Sequence, residues 1–287
     1  CSHRCSFCTI PAIKGPYRSR NPESVIAEGH MLAQSGVKEI NLIAQDTTAY
    51  GYDLPGKTDL SYLLKHLSRD TDLEWIRILY GHPKHLSREI LTAMGEEEKV
   101  CNYIDLPLQH ISDAVLDTMG RKTKATMIKK LVAQMRRIIP ELWLRTTFIV
   151  GFPGERDEDF KLLLEFVKEV EFEHLGAFKY SDEEGTKAYT MKDKVQPHII
   201  EERFHQLMSA QSTISLSKNQ ALIGTTQKIL IEGIDSSSGM LTGRTSFQAP
   251  DIDGIVLITK GSAPAGAMVE VTVSHAEAYD LFGEIKK

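Results

Sequence analysis

Cysteine is scarce in this sequence: four residues in 287, three of them within the first eight positions. A disulfide framework would spread them along the chain, so this spacing excludes one. Thiols gathered in an otherwise cysteine-poor chain point to a metal site in a reducing compartment, and the cytoplasm is the expected location. No apolar run approaches the ~20 residues of a membrane span, so no membrane partner is expected. A cationic excess is missing too. The 34 Lys and Arg against 39 Asp and Glu give a net charge of −5, so the total carries no nucleic-acid footprint. Repeats and low-complexity tracts are absent as well. The chain also lacks an initial Met: Cys1 stands inside a motif, and we expect a fragment with a stretch missing upstream.

What is present is ordinary globular composition, 41% hydrophobic and 25% charged. A strand-then-helix rhythm runs from Asn21 to about Glu173. Asn21-Pro22-Glu23 reads as a capped helix start, and the helix stops at Gly36. Strands are expected at 38–44, 75–79, 103–108, 144–150 and 174–180. Helices are expected at 60–67, 87–94, 124–139 and 157–170. This alternation implies parallel strands with right-handed crossovers, and so an α/β chain. With a sixth strand expected upstream of Cys1, the architecture is a partial (β/α)6 TIM-like barrel. A long helix at 199–219 follows. Short strands at 227–232, 239–245, 254–259 and 267–274 then suggest a small all-β, oligonucleotide-fold-like barrel. The expected division is 1–214 for the partial barrel and its trailing helix, 215–220 for a connector and 221–287 for the β-barrel.

Cys1, Cys5 and Cys8 have the spacing C-x3-C-x2-C, with aromatic Phe7 before the last. Three thiolates on one tight loop can hold three corners of a 4Fe–4S cluster. No fourth cysteine is nearby, which leaves one iron open to bind the amino and carboxylate groups of S-adenosylmethionine. Two plainer readings stand beside this one: a zinc site with His3 as a fourth ligand, or three buried apolar cysteines. Cys101 reads as a core residue.

The triple-cysteine loop resembles that of the radical S-adenosylmethionine superfamily. Further segments are similar to its methylthiotransferase family: Leu42-Ile43-Ala44-Gln45-Asp46-Thr47-Thr48-Ala49-Tyr50-Gly51, Leu106-Pro107-Leu108-Gln109-His110, Phe148-Ile149-Val150-Gly151-Phe152-Pro153-Gly154-Glu155 and Tyr180-Ser181-Asp182-Glu183-Glu184-Gly185-Thr186. The C-terminal segment resembles a TRAM domain. The resemblance implies a radical SAM barrel, one 4Fe–4S cluster on Cys1, Cys5 and Cys8, and S-adenosylmethionine as cofactor. It also implies a second 4Fe–4S cluster, expected only in a missing N-terminal domain, and an electron donor as partner.

Active sites of such barrels lie at the C-terminal ends of the strands. Candidates for holding the cofactor there are Phe7 on the loop, Gln45 and Asp46 for the amino group, and Gln109 for the ribose or the substrate. Gly151 and Gly154 would let the adenine or ribose approach the backbone, and Arg145 would pair with the cofactor carboxylate. Each has an alternative: Gln45-Asp46 as a turn cap, Gly-Phe-Pro-Gly as a simple turn, Arg145 as a solvated strand residue.

The resembled family has two branches. One modifies adenosine in tRNA; the other modifies the β-carbon of an aspartate in small-subunit ribosomal protein number twelve. Residues 221–287 carry five basic and eight acidic side chains, net −3. An RNA-binding barrel would be basic, because phosphate contacts supply most of its affinity. An acidic one suits a basic ribosomal protein, and tRNA is disfavoured. In Asp182-Glu183-Glu184, the last two stand where the tRNA branch resembles Arg-Pro. With Asp251 and Asp253 these three are the candidate substrate-docking residues. Two other classes remain: a radical methyltransferase or activating enzyme, and a metal-stabilised binding module without catalysis.

Overall fold

The computed structural model describes residues 1–56 and 58–286. Lys287, counted above in the charge of the C-terminal segment, lies outside them. Strands β1 (Glu39–Leu42), β2 (Trp75–Ile78), β3 (Val100–Asp105), β4 (Trp143–Val150) and β5 (His174–Lys179) form one sheet in that order, each pair parallel. Helices α1 (Ile10–Lys14) and α2 (Pro22–Gln34) precede β1, and α3 (Leu60–Asp70) and α4 (Arg88–Glu96) follow β1 and β2. After β3 come α5 (Asp113–Thr118) and α6 (Ala125–Ile138), after β4 α7 (Asp157–Val170), and after β5 α8 (Pro197–Gln220).

Local chemistry sets these elements. Asn21 caps α2, its side-chain oxygen accepting from the Glu23 and Ser24 N–H groups, with Pro22 in the first turn. Leu60, Leu63, Leu64 and Leu67 form the buried stripe of α3. The strands alternate. Ile76, Ile78, Ile104 and Phe148 face the helices in the main core. Trp75, Leu79, Cys101 and Tyr103 face the other way, into a second core.

Two expectations are corrected. The third strand is three residues earlier than expected, so Cys101 lies within it. After Asp105 the ladder is broken by a side chain: the Thr146 hydroxyl donates to the Leu106 carbonyl (3.0 Å) and accepts from the Leu108 N–H (3.3 Å). Pairing resumes only at the single bridge Gln109–Phe148. Residues 215–220 are not a connector either. They are the last turns of α8, where the Asn219 amide donates to the Glu277 and Ala278 carbonyls (3.0 and 3.3 Å) and docks the helix on the next domain.

That domain is a closed five-stranded barrel of β6 (Thr226–Ile234), β7 (Leu241–Thr245), β8 (Val256–Lys260), β9 (Met268–Ala276) and β10 (Leu281–Ile285), in the order β10-β8-β7-β6-β9. It packs against the N-terminal halves of the parallel strands. Trp143 stacks on Phe247 (3.9 Å between centroids), and His174 Nε2 lies 2.9 Å from the Phe247 carbonyl oxygen. Glu39 on β1 bridges two buried guanidiniums, Arg77 at 2.7 Å and Arg244 at 2.8 Å. The opposite, C-terminal end of the sheet is left to the cysteine loop.

Candidate active site

The three N-terminal cysteines share a loop across the C-terminal ends of the strands. Contacts from distant segments hold it. The Ser6 N–H donates to the Met119 carbonyl (2.9 Å), the Ser6 hydroxyl to the Thr118 carbonyl (2.8 Å), and the Ser6 carbonyl accepts from the Ala188 N–H (2.8 Å). Phe7 meets Phe152 edge-on at 6.2 Å and packs on the small apolar cluster of Val115, Met119, Ile149, Phe152 and Ala188. Cys1, Cys5 and Cys8 are half-buried free thiols. Cys101 is buried at the domain boundary, where burial pushes its thiol up to about 11.

This donor set fits an iron–sulfur cluster with one iron free of protein thiol. Three half-buried thiols share one loop, and the fourth cysteine is buried at the other end of the sheet. Arg121, which is 7% exposed, supplies a positive charge beside them, its Nη1 lying 4.0 Å from Cys5 Sγ.

Next to the thiols is a group that sequence reasoning did not assemble. His3 Nε2 and His85 Nδ1 each lie 2.6 Å from Asp46 Oδ2, and His82 stacks on His3 at 4.0 Å. One ligand atom from each of these four residues falls within 4.8 Å of the others. Oδ1 of Asp46 accepts from the Thr48 hydroxyl (2.8 Å) and the Ala49 N–H (3.2 Å). Burial pushes the Asp46 carboxyl up, but hydrogen bonds from His3, His85 and Thr48 outweigh it and hold the group well below the usual carboxylate range. His82 is driven down to about 2 by burial and then by the Arg121 charge, so it stays a neutral acceptor. The arrangement suits a cationic group, an ammonium or a metal ion, which would take the place of the imidazole protons on Oδ2. The spacing His82-Pro83-Lys84-His85 just after a strand was a usable signal. Arg121 gave none.

The other candidates divide. Gln45 is exposed beside Asp46. Gln109 sits in the left-handed region (φ 72°), its backbone held by Thr147 and Ile149. Among the described residues its side chain makes no hydrogen bond, which leaves it available to a ligand. Gly151 (φ 76°) and Gly154 (φ 84°) flank a loop fixed by buried Glu155, which accepts from the Gly151 N–H (2.9 Å) and from Arg203 of α8 (2.7 Å). Asp182, Glu183 and Glu184 are exposed after β5, at the same end, although Asp182 is paired with Lys194.

Two placements overturn expectations. Arg145 does not face the strand ends. It lies near the start of β4, its Nη1 3.2 Å from Asp105 and its Nε 3.3 Å from Asp253. A guanidinium held by two buried carboxylates at the domain boundary is not free for a cofactor. Asp253 is likewise no docking residue, since its side chain is 2% exposed and accepts from Tyr103 Oη (2.7 Å) and the Ala249 N–H (2.9 Å). Asp251 is exposed, but on the C-terminal barrel, at the opposite end of the sheet from Asp182. Strand β4 alone separates those ends by roughly 23 Å.

Residues 1–167 match the model of the radical SAM superfamily, and residues 223–285 match that of the TRAM domain. The ribosomal protein uS12 methylthiotransferase RimO of Pelobacter propionicus is 47% identical over 288 residues, covering 100% of this chain and 64% of that protein. The proteins of the same name from Myxococcus xanthus and Alkaliphilus oremlandii are 45% and 41% identical, each over 99% of this chain and over 60% and 66% of their own lengths. The chain therefore spans less than two thirds of these relatives. Among solved structures, coproporphyrinogen III oxidase (HemN) from Escherichia coli aligns with a TM-score of 0.52 and 18% identity, over 76% of this chain and 51% of that one. The methyltransferase TsrM from Kitasatospora setae gives 0.52 and 19%, over 62% and 34%. At such identities the likeness is one of fold.

Proposed function

The chain belongs to the radical SAM superfamily, and on that footing we propose that it is the catalytic part of a methylthiotransferase whose target is ribosomal protein uS12. The reading goes further, to an aspartate of that protein as the acceptor and its β-carbon as the site of the methylthio group. One observation carries it: the three-thiol loop lies at the C-terminal end of a parallel sheet in a chain matched along its whole length by uS12 methylthiotransferases.

Cys1, Cys5 and Cys8 would hold a 4Fe–4S cluster, which supplies one-electron cleavage of S-adenosylmethionine when reduced by an electron donor. The chain's own residues bind and orient. Asp46, ionised and buried, is placed for the cofactor's ammonium. Gln45 stands beside it, exposed. Gln109 presents an unengaged amide to the ribose or the substrate. Gly151 and Gly154 keep the backbone bare for a flat ring. Phe7 and Phe152 form an apolar support under the loop. Asp182, Glu183 and Glu184 give the same end a negative rim that favours encounter with a basic protein and disfavours tRNA. A second cluster belongs, in this reading, to the part of the protein that precedes Cys1.

The test uses the full-length protein, reconstituted anaerobically and incubated with S-adenosylmethionine, a reductant and purified uS12 or tRNA. Mass spectrometry of both should find the methylthio group on an aspartate of uS12. Modified adenosine with unmodified uS12 would move the assignment to the tRNA branch.

A further inference from the structure

Arg121 is a buried cation without a carboxylate. Among the described residues no Asp or Glu oxygen lies within ion-pairing distance of it. Its Nη2 donates to the Pro107 carbonyl at 2.7 Å, its Nη1 faces Cys5 Sγ at 4.0 Å, and its Nε is buried with no acceptor. Burying a guanidinium is costly unless an anion compensates. Every other strongly buried arginine here has such a partner: Arg77 and Arg244 share Glu39, and Arg203 has Glu155. The groups facing Arg121 are instead a thiol sulfur and a carbonyl.

We propose that Arg121 is a positioning residue for the cluster on Cys1, Cys5 and Cys8. Its charge and its N–H donor, aimed at the Cys5 sulfur, raise the cluster's reduction potential. The proposal rests on the cluster reading above. A 4Fe–4S core held by three thiolates carries one net negative charge when oxidised and two when reduced. A fixed positive charge in a buried setting stabilises the doubly charged state more than the singly charged one. A hydrogen bond to the cysteine sulfur acts in the same direction, because it withdraws electron density from the cluster. The site is rigid enough to keep this geometry. The Arg121 N–H donates to the Leu116 carbonyl at 2.8 Å, and neighbouring Met119 holds the cysteine loop through Ser6.

The test is a reductive titration of this chain, reconstituted with iron and sulfide and kept free of S-adenosylmethionine. It is followed by the electron paramagnetic resonance of the reduced cluster. Iron and sulfide content are measured first; a wild-type protein that takes up no 4Fe–4S cluster would count against the cluster reading itself. With the cluster present, Arg121→Met should lower the ratio of reduced to oxidised cluster at a fixed potential about tenfold, equal to about 59 mV toward more negative values. Arg121→Lys keeps the charge and loses the fork, so it should fall between the two. Equal potentials in wild type and Arg121→Met at full iron content would overturn the proposal, even if S-adenosylmethionine binding were weakened. Loss of the cluster from both variants would overturn it too, and would make Arg121 a structural strut.

Discussion

Arg145 of β4 and Asp253 of the C-terminal barrel meet across the domain boundary, Nε to Oδ1, at 3.3 Å. Asp253 also takes hydrogen bonds from Tyr103 and from the Ala249 backbone. Asp253→Ala should therefore strip one half-buried guanidinium of a partner and orphan a buried phenol. Breaking such a pair costs about 3 kcal/mol. The chain's two tryptophans, Trp75 and Trp143, both pack at this boundary. Urea unfolding followed by their fluorescence should show the loss as a lower midpoint. A midpoint unchanged from wild type would mean the pair contributes nothing.

Gly151 is close to irreplaceable. An added Cβ would come within 2.3 Å of Ile200 Cγ1, and its φ of 76° disfavours any L side chain. Gly151→Ala should cost about 2 kcal/mol or more in chemical denaturation. Adding Ile200→Ala should recover the steric part and leave the backbone part. Full recovery in the double variant would show that the backbone conformation carries no cost.

Gln109 inverts that logic, because a non-glycine residue occupies the left-handed region (φ 72°). Gln109→Gly should leave the fold intact and raise stability by up to about 1 kcal/mol. If the amide serves the site, deoxyadenosine production by the reconstituted protein should nonetheless drop. Lower stability together with normal turnover would contradict both halves.

Asp235 governs the acid behaviour of the turn between β6 and β7. Hydrogen bonds from Ser237 and Ser238 hold its carboxyl down at about 2, from an ordinary 3.8. A folded-state value below the unfolded one stabilises the fold above the unfolded value. That contribution is lost as pH falls from 3.8 through about 2. Carboxyl chemical shifts in an NMR titration should place its midpoint near 2, well below 3.8, and Asp235→Asn should remove this part of the acid response. A midpoint at the ordinary value would refute the assignment.

Thiol labelling should separate the cysteines. In the metal-free protein Cys1, Cys5 and Cys8 should alkylate readily, and Cys101 should resist until the domains open. Burial pushes its thiol up to about 11, and it is 3% exposed. Peptide mass spectrometry after brief alkylation reads this directly; labelling of Cys101 at the rate of the loop thiols would place it outside the core.

Much of the fold could be read from the chain alone, because it depends on neighbours in sequence. Asn21 with Pro22 marks a helix start, the leucines of 60–67 mark a buried stripe, and the C-x3-C-x2-C spacing fixes three thiols on one loop. Each is a local pattern with a local cause. The C-terminal end of β3 was displaced because one side chain, Thr146, replaces a ladder bond from the neighbouring strand. What only the tertiary structure decided are pairings across long stretches of chain: His3 with Asp46 and His85, Arg121 with Cys5, Glu39 with Arg244, Arg145 with Asp253. A charge in sequence carries a sign but no direction. Packing turned Arg145 and Asp253 away from the roles that their sign suggested, because a buried ion needs a counter-ion and the domain boundary supplied one.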